Sequence, residues 1–185
     1  FRLLGSLKGG AAGRQGTVYR AECIRETVQG VGIGEIVALK TMRCEDSTGK
    51  ATEKLRKRVE SLASINHPNV LGYRGFFTDI GPFSSLNVVV MELLEGETLQ
   101  DRVSANPKGM DADEAIRIVD GALAGLGCAA KAGIIHRDIK PSNIFICKNG
   151  TVKLIDFELG RTAGSSITAS DSFVGTFDYM APEFL

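Results

Sequence analysis

The dipeptide Asn149-Gly150 lies between two apolar runs rich in β-branched residues, Ile144-Phe145-Ile146-Cys147 and Val152-Lys153-Leu154-Ile155. Both central residues tolerate positive φ, which makes this the strongest short-range hairpin signal a sequence carries. A two-residue turn fixes its own register, and here it sets Asn143 opposite Asp156 at the open end. An amide oxygen and a carboxylate meeting there, with Asp138 close by on a loop stiffened by Pro141, make a hard-oxygen cluster suited to magnesium bound together with a phosphate. Taken alone, the same pattern also reads as a surface hairpin flanked by turn residues.

The 185 residues are enough for one domain or two small lobes, and 43% of them are hydrophobic, enough to bury a core. Lys plus Arg equals Asp plus Glu at 22 each, so no global field draws the chain to nucleic acid or an anionic membrane, and any affinity for phosphate has to be local. Cys23, Cys44, Cys128 and Cys147 are scattered without a Cys-x-x-Cys pair, which points to a reducing, cytoplasmic or otherwise intracellular setting. No apolar run approaches the roughly 18 to 20 residues that span a bilayer, and no secretion signal opens the chain, which starts without Met as a fragment would. The composition leaves the oligomeric state open.

Up to about residue 47, short β-branched runs such as Thr17-Val18-Tyr19 and Ile36-Val37-Ala38-Leu39 alternate with glycines and predict strands and tight turns. Leu55, Val59, Leu62 and Ile65 recur at helical spacing, so residues 52–65 read as one amphipathic helix that ends before Pro68. Leu86 to Leu94 reads as a buried strand, and the polar breaker Glu95-Gly96-Glu97 marks a lobe boundary, with one lobe over residues 1–94 and the other over 95–185. Asp111 with Glu114 predicts a capping box. Val119, Leu123 and Leu126 then form the stripe of a long helix closed by Gly133. Residues 165–172 are rich in Ser and Thr and read as a mobile loop.

His136-Arg137-Asp138-Ile139-Lys140-Pro141-Ser142-Asn143, Asp156-Phe157 and Ala181-Pro182-Glu183 stand in the order and spacing of the protein-kinase signatures. Over essentially its whole length the chain resembles a eukaryotic-type protein kinase catalytic domain of the serine/threonine branch. Val37-Ala38-Leu39-Lys40, His67-Pro68-Asn69 and Val90-Met91-Glu92 match it as well. The resemblance implies an α+β, kinase-like two-lobe fold, with a β-rich N-lobe carrying one regulatory helix and an incomplete, mainly helical C-lobe. It implies ATP and Mg2+ as cofactors and transfer of a phosphoryl group to Ser or Thr of a protein substrate. By position, Asp138 accepts the substrate hydroxyl proton, Asn143 and Asp156 hold magnesium, and Lys40 binds the α/β-phosphates. Lys140, two residues after Asp138, marks the serine/threonine branch.

The resemblance further assigns Met91 as gatekeeper, the backbone of Glu92 and Leu94 as the adenine-contacting hinge, and Glu97 to the ribose. Val18, Ala38 and Phe145 would sandwich the adenine, although as apolar strand residues they also read as plain core. His136 and Phe157 would stack with Leu62 and Tyr73 in an internal spine. Arg137 would meet a phosphate on the activation segment through charge-assisted bonds. Ahead of Gly175-Thr176, Ser172 is the first phosphosite candidate, followed by Ser170 and Thr168.

Four features depart from the family pattern. The phosphate loop aligns on Ala11, Gly13, Gly16 and Val18, so its first glycine is alanine, with Gly9 and Gly10 offering another frame. Counting back from His67 places Arg58 where a glutamate should pair with Lys40. Two cations at about 4 Å and an effective dielectric near 20 repel by about 4 kcal/mol. Glu60 cannot substitute, because turning it inward would rotate Val59, Leu62 and Ile65 out of the core. Glu158 replaces the glycine after Asp156-Phe157, where binding metal, repelling phosphate and capturing Lys40 or Arg58 are all open to it. The chain stops at Leu185, short of the helices that complete a large lobe, so the fragment is expected neither to fold fully nor to turn over alone. Beside an active serine/threonine kinase, the sequence therefore leaves open a pseudokinase that binds ATP or acts as a scaffold, and, less readily, a small-molecule kinase.

Overall fold

The structure, a computed structural model, describes residues 1–7, 16–26, 28, 30–43, 49–80, 85–157 and 179. The chain forms two compact units, residues 1–67 with 71–95 and residues 68–70 with 96–185. The architecture is α+β.

The first unit holds strands β1 (Arg2–Ser6), β2 (Thr17–Glu22) and β3 (Ile36–Arg43), helix α1 (Lys50–Ala63), and strands β4 (Tyr73–Ile80) and β5 (Ser85–Glu92). They make one antiparallel sheet in the order β1-β2-β3-β5-β4. The period-2 alternation of its strands gives the sheet two different faces. On the outer face Val37, Leu39, Val88 and Val90 form a buried cluster with Ala21 and Cys23. Fully burying a valine or leucine contributes about 1.5–3 kcal/mol, so this cluster alone is a substantial core.

The segment between β2 and β3 folds back over that face. Val31 is buried there, and Val28 rests on Gly75, where a Cβ would lie 2.4 Å from Val28 Cγ1. The Cys23 thiol donates to the Arg25 carbonyl at 3.2 Å, and Phe1 stacks on Phe77 with ring centroids 5.8 Å apart.

The inner face carries Val18, Lys40 and Val89 in one cross-strand row, Ala38 beside Met91, and Met42 beside Asn87. Helix α1 packs on the sheet with Leu55, Val59 and Leu62 buried. It begins two residues earlier than expected and ends before Ile65, which is buried all the same. Its exposed side is laced by ion pairs of Arg56 with Glu53 and Glu60, and the hydrogen bond from Arg56 holds the Glu53 carboxyl below the usual carboxylate range.

The second unit contains β6 (Gly96–Thr98), α2 (Leu99–Ala105), α3 (Ala112–Lys131), a 3-10 turn at Pro141–Asn143, β7 (Ile144–Cys147) and β8 (Val152–Leu154). The three strands form an antiparallel sheet, so the polar breaker around Gly96 is itself a short strand, with Gly96 opposite Cys147.

The capping box falls elsewhere than expected. Thr98 and Asp101 form the reciprocal pair at the start of α2. Asp111 does cap α3 through the backbone N–H groups of Asp113 and Glu114, at 3.0 and 3.2 Å, but the Glu114 carboxylate is bound by Arg102 instead of returning to Asp111. At the other end Gly133, with φ 72°, closes α3 as expected, and the Gly133 and Ile134 amides donate back to Ala130 and Ala129.

The buried stripe of α3 is Ile118, Ala122, Gly125 and Ala129, whereas Val119 and Leu123 are 56% and 60% exposed. Close approach decides the face, not hydrophobicity. Asn69 lies against the helix and is stitched to β8, its Nδ2 donating to the Val152 carbonyl at 2.7 Å and its carbonyl accepting from Leu154 N at 2.9 Å. A Cβ on Gly125 would sit 2.4 Å from the Asn69 carbonyl oxygen, so only the small-residue face can meet it. Among the described residues, no helix is long and apolar enough to cross a membrane.

Candidate active site

The β7–β8 hairpin differs from the expected one by a single residue. Phe145 pairs with Lys153 and Ile146 with Val152, which leaves a three-residue connection, Lys148-Asn149-Gly150. Gly150 N donates to the Cys147 carbonyl, Gly150 alone takes positive φ at 84°, and the Asn149 side chain accepts from Thr151 N at 3.0 Å. Asn149 therefore stabilises the turn with its side chain rather than with a left-handed backbone. The slip matters, because one residue of register exchanges the two faces of a strand. Asn143 stands opposite Ile155, whose N–H donates to the Asn143 carbonyl at 3.0 Å, and not opposite Asp156 as expected.

The partner of the Asn143 amide is Asp138. Asn143 is buried, and its Nδ2 donates to the Asp138 carbonyl at 2.7 Å and to Asp138 Oδ2 at 2.9 Å. Lys140 Nζ approaches the same Oδ2 at 2.8 Å. The 3-10 turn with Pro141 in its first position brings these groups together, closed by Asn143 N donating to the Lys140 carbonyl. One carboxylate oxygen thus carries both cationic and amide donors.

Behind the loop His136 is 2% exposed and stacks on Phe157 with ring centroids 4.4 Å apart. Its Nε2 lies 2.9 Å from the Ile155 carbonyl, and its Nδ1 accepts from Asp138 N at 3.3 Å. Those partners require a neutral ring with the proton on Nε2, and burial pushes the His136 pKa below its usual value. Arg137 and Asp156 hold φ values of 69° and 55°, so both ends of the site carry non-glycine residues in left-handed backbone. Arg137 is exposed and Asp156 half-buried.

Magnesium and ATP are implied by the motif set, and the donor chemistry of the second unit fits a magnesium ion. With both amide hydrogens of Asn143 committed to Asp138, its oxygen is the end available to a hard cation, and Asp156 supplies a carboxylate. The described residues hold no cluster of three or more His, Cys, Asp or Glu, while magnesium bound with nucleotide phosphates needs only one or two carboxylates from protein.

The remaining candidates divide between the units. In the first, Lys40 is buried and shares the inner face with Val18, Ala38 and Met91. Glu92 N donates to the Gly72 carbonyl at 2.8 Å, its side chain bonds the Gly72 amide, and Leu94 is half-buried. Gly16 has φ 85°, and a Cβ there would fall 2.0 Å from the Thr41 carbonyl oxygen, so no other residue fits. Arg58 is half-buried with its Nε enclosed. Glu60 stays on the exposed side with Arg56. Leu62 and Tyr73 are buried in the first unit, as His136 and Phe157 are in the second.

In the second unit Phe145 pairs with Thr98 and Lys153. Glu97 is held by Arg102 at 2.6 Å, and Arg102 bridges on to Glu114; the hydrogen bond that Arg102 donates to Glu97 raises the Arg102 pKa. Arg102 is a residue that sequence reasoning missed, because no motif or periodicity links positions 97, 102 and 114. Ala11, Gly13, Glu158, Thr168, Ser170 and Ser172, with Gly175-Thr176 and Ala181-Pro182-Glu183, lie outside the described residues.

Comparison with known proteins agrees with this geometry. Residues 11–185 match the protein kinase domain family model, and the chain belongs to that family. More narrowly, the relatives that it matches include proteins named as serine/threonine-protein kinases. It is 33% identical to a probable serine/threonine-protein kinase PknB of Lactococcus lactis over 80% of this chain and 23% of that protein. It is 34% identical to a probable serine/threonine-protein kinase pknA2 of Bifidobacterium longum over 95% of this chain and 22% of that protein. It is 32% identical to the serine/threonine-protein kinase PrkC of Bacillus subtilis over 80% and 22%. The chain thus spans less than a quarter of the length of each.

Proposed function

We propose that the chain carries the catalytic centre of an intracellular kinase that transfers the γ-phosphoryl group of ATP to Ser or Thr hydroxyls of protein substrates. The observation that carries this reading is the Asp138 carboxylate, whose Oδ2 is fixed by Lys140 and Asn143 while neither of those bonds falls on Oδ1. In the proposed step Asp138 takes the proton of the substrate hydroxyl as that oxygen bonds to the γ-phosphorus and the bond to the β-phosphate oxygen breaks, releasing ADP. Lys140, beside the same carboxylate, stabilises negative charge on the transferring group. Asn143 and Asp156 hold magnesium, which when bound neutralises charge on the phosphate oxygens.

In the first unit Lys40 contacts the α/β-phosphates, Val18, Ala38 and Met91 line the nucleotide base, and the Glu92 to Leu94 backbone bonds it. Gly13 and Gly16 belong to the phosphate loop, Phe145 to the base, and Glu97 to the ribose in concert with Arg102. Ser172, Ser170 and Thr168 are the proposed regulatory phosphosites. The test is transfer from radiolabelled ATP by the full-length protein beside its Asp138→Asn variant. Wild-type transfer should exceed the variant by at least about a hundredfold, and equal background from both would sink the reading.

A further inference from the structure

Residues directly opposite in an antiparallel ladder exchange two main-chain hydrogen bonds or none. At the end of β5, one step beyond the Tyr73–Met91 pair, Glu92 meets Gly72. One of their bonds is regular, with Glu92 N donating to the Gly72 carbonyl at 2.8 Å. The other is not, because the single hydrogen of Gly72 N goes to Oε1 of the Glu92 side chain.

The surroundings favour this substitution. Leu71, Tyr73 and Met91 are buried around the half-buried Gly72, where an N–H left without an acceptor is costly. A carboxylate is a stronger acceptor than a carbonyl and so holds that amide against the main chain. Glycine at position 72 leaves room for it, since a Cβ there would lie 3.1 Å from Oε1. The Glu92 main-chain carbonyl is therefore not the acceptor of Gly72 N, at the point where β5 runs out into Leu93 and Leu94.

We propose that the Glu92 carboxylate stands in for its own main-chain carbonyl on Gly72 and so leaves that carbonyl to accept from the exocyclic amino group of adenine. Through its side chain Glu92 is a positioning residue, and the role rests on the ATP-dependent reading above. Removing the carboxylate lets the regular pair close, which draws the carbonyl onto Gly72 and away from the base.

The test measures dissociation constants of the full-length protein, with magnesium, for ATP and for purine riboside triphosphate, which lacks the 6-amino group. Wild type, Glu92→Ala and Glu92→Gln are compared. Because the readout is a ratio of two constants within one protein, a loss of stability or of active fraction does not move it. Wild type should bind ATP about three- to tenfold more tightly than the analogue, the worth of one hydrogen bond, and in Glu92→Ala the ratio should fall below about twofold. Glu92→Gln, whose Oε1 still accepts from Gly72 N, should recover most of the preference. An unchanged ratio in Glu92→Ala, even with both nucleotides bound more weakly, would overturn the proposal, as would a Glu92→Gln variant that behaves like Glu92→Ala. Equal binding of the two nucleotides by wild type overturns it as well and leaves the transfer reading intact. A wild type that binds ATP but stays at the Asp138→Asn background loses only the transfer reading, and the ratio still decides the role of Glu92. A wild type that binds neither nucleotide overturns both.

Discussion

His136 illustrates how a single side chain couples the loop that carries Asp138 to the hairpin. Its ring accepts the Asp138 amide at one nitrogen and meets the Ile155 carbonyl at the other, within the field of Asp138 and Asp156. A second proton would have to enter on Nδ1, against the N–H that now donates there. Because the folded-state pKa is lowered by burial, the unfolded chain binds the proton more readily. Stability from this residue is therefore complete above the unfolded value of about 6.5 and is lost as pH falls below it. Thermal unfolding followed from pH 8 to 5 should show Tm declining below about 6.5. A His136→Phe variant should show a shallower decline, by at most one proton, or about 1.4 kcal/mol per pH unit. An identical slope in the two proteins would refute the assignment of a neutral ring.

At the scale of elements, helix α3 offers a paired experiment on two glycines two residues apart. Gly125→Ala would drive a methyl group to 2.4 Å from the Asn69 backbone oxygen, whereas a Cβ on Gly127 meets nothing within 4 Å. The first substitution should destabilise by about 1–3 kcal/mol through overpacking. The second should stabilise by up to about 1 kcal/mol, the difference in helix propensity between glycine and alanine. Chemical denaturation midpoints would register both signs. Asp111→Ala should cost about 1 kcal/mol by removing the cap of α3, read in the same way.

The same helix shows what periodicity reveals and what it hides. That residues 112–131 are helical was legible from spacing and from Gly133, but the buried face was not, because it is chosen by how closely Asn69 approaches and not by the largest apolar residues. The hairpin repeats the lesson. Its existence was legible from Asn149-Gly150, while its register depended on whether Asn149 would use its backbone or its side chain, and no local pattern decides that. Asn87 did leave a signal, a lone amide within an apolar strand, although its partners on α1 and β4 lie far off in sequence.

For the molecule as a whole, membership of the protein kinase domain family was the most legible property, since each signature motif is a contiguous run whose spacing survives any error in register. The Asp138, Lys140 and Asn143 cluster follows from one such run. Less legible was how the chain is partitioned. Residues 68–70 belong with the second unit although residues on both sides of them belong with the first, and Val70 pairs with Leu154 as an isolated parallel bridge. The chain therefore crosses between its two units three times instead of once. Cutting it at the Glu95–Gly96 bond would not yield two self-sufficient halves, because the downstream piece would lose the tripeptide that satisfies Val152 and Leu154. Supplied separately, a short peptide spanning residues 65–72 would then act as a missing part, and the pair would form a complementation system assembled from unequal pieces.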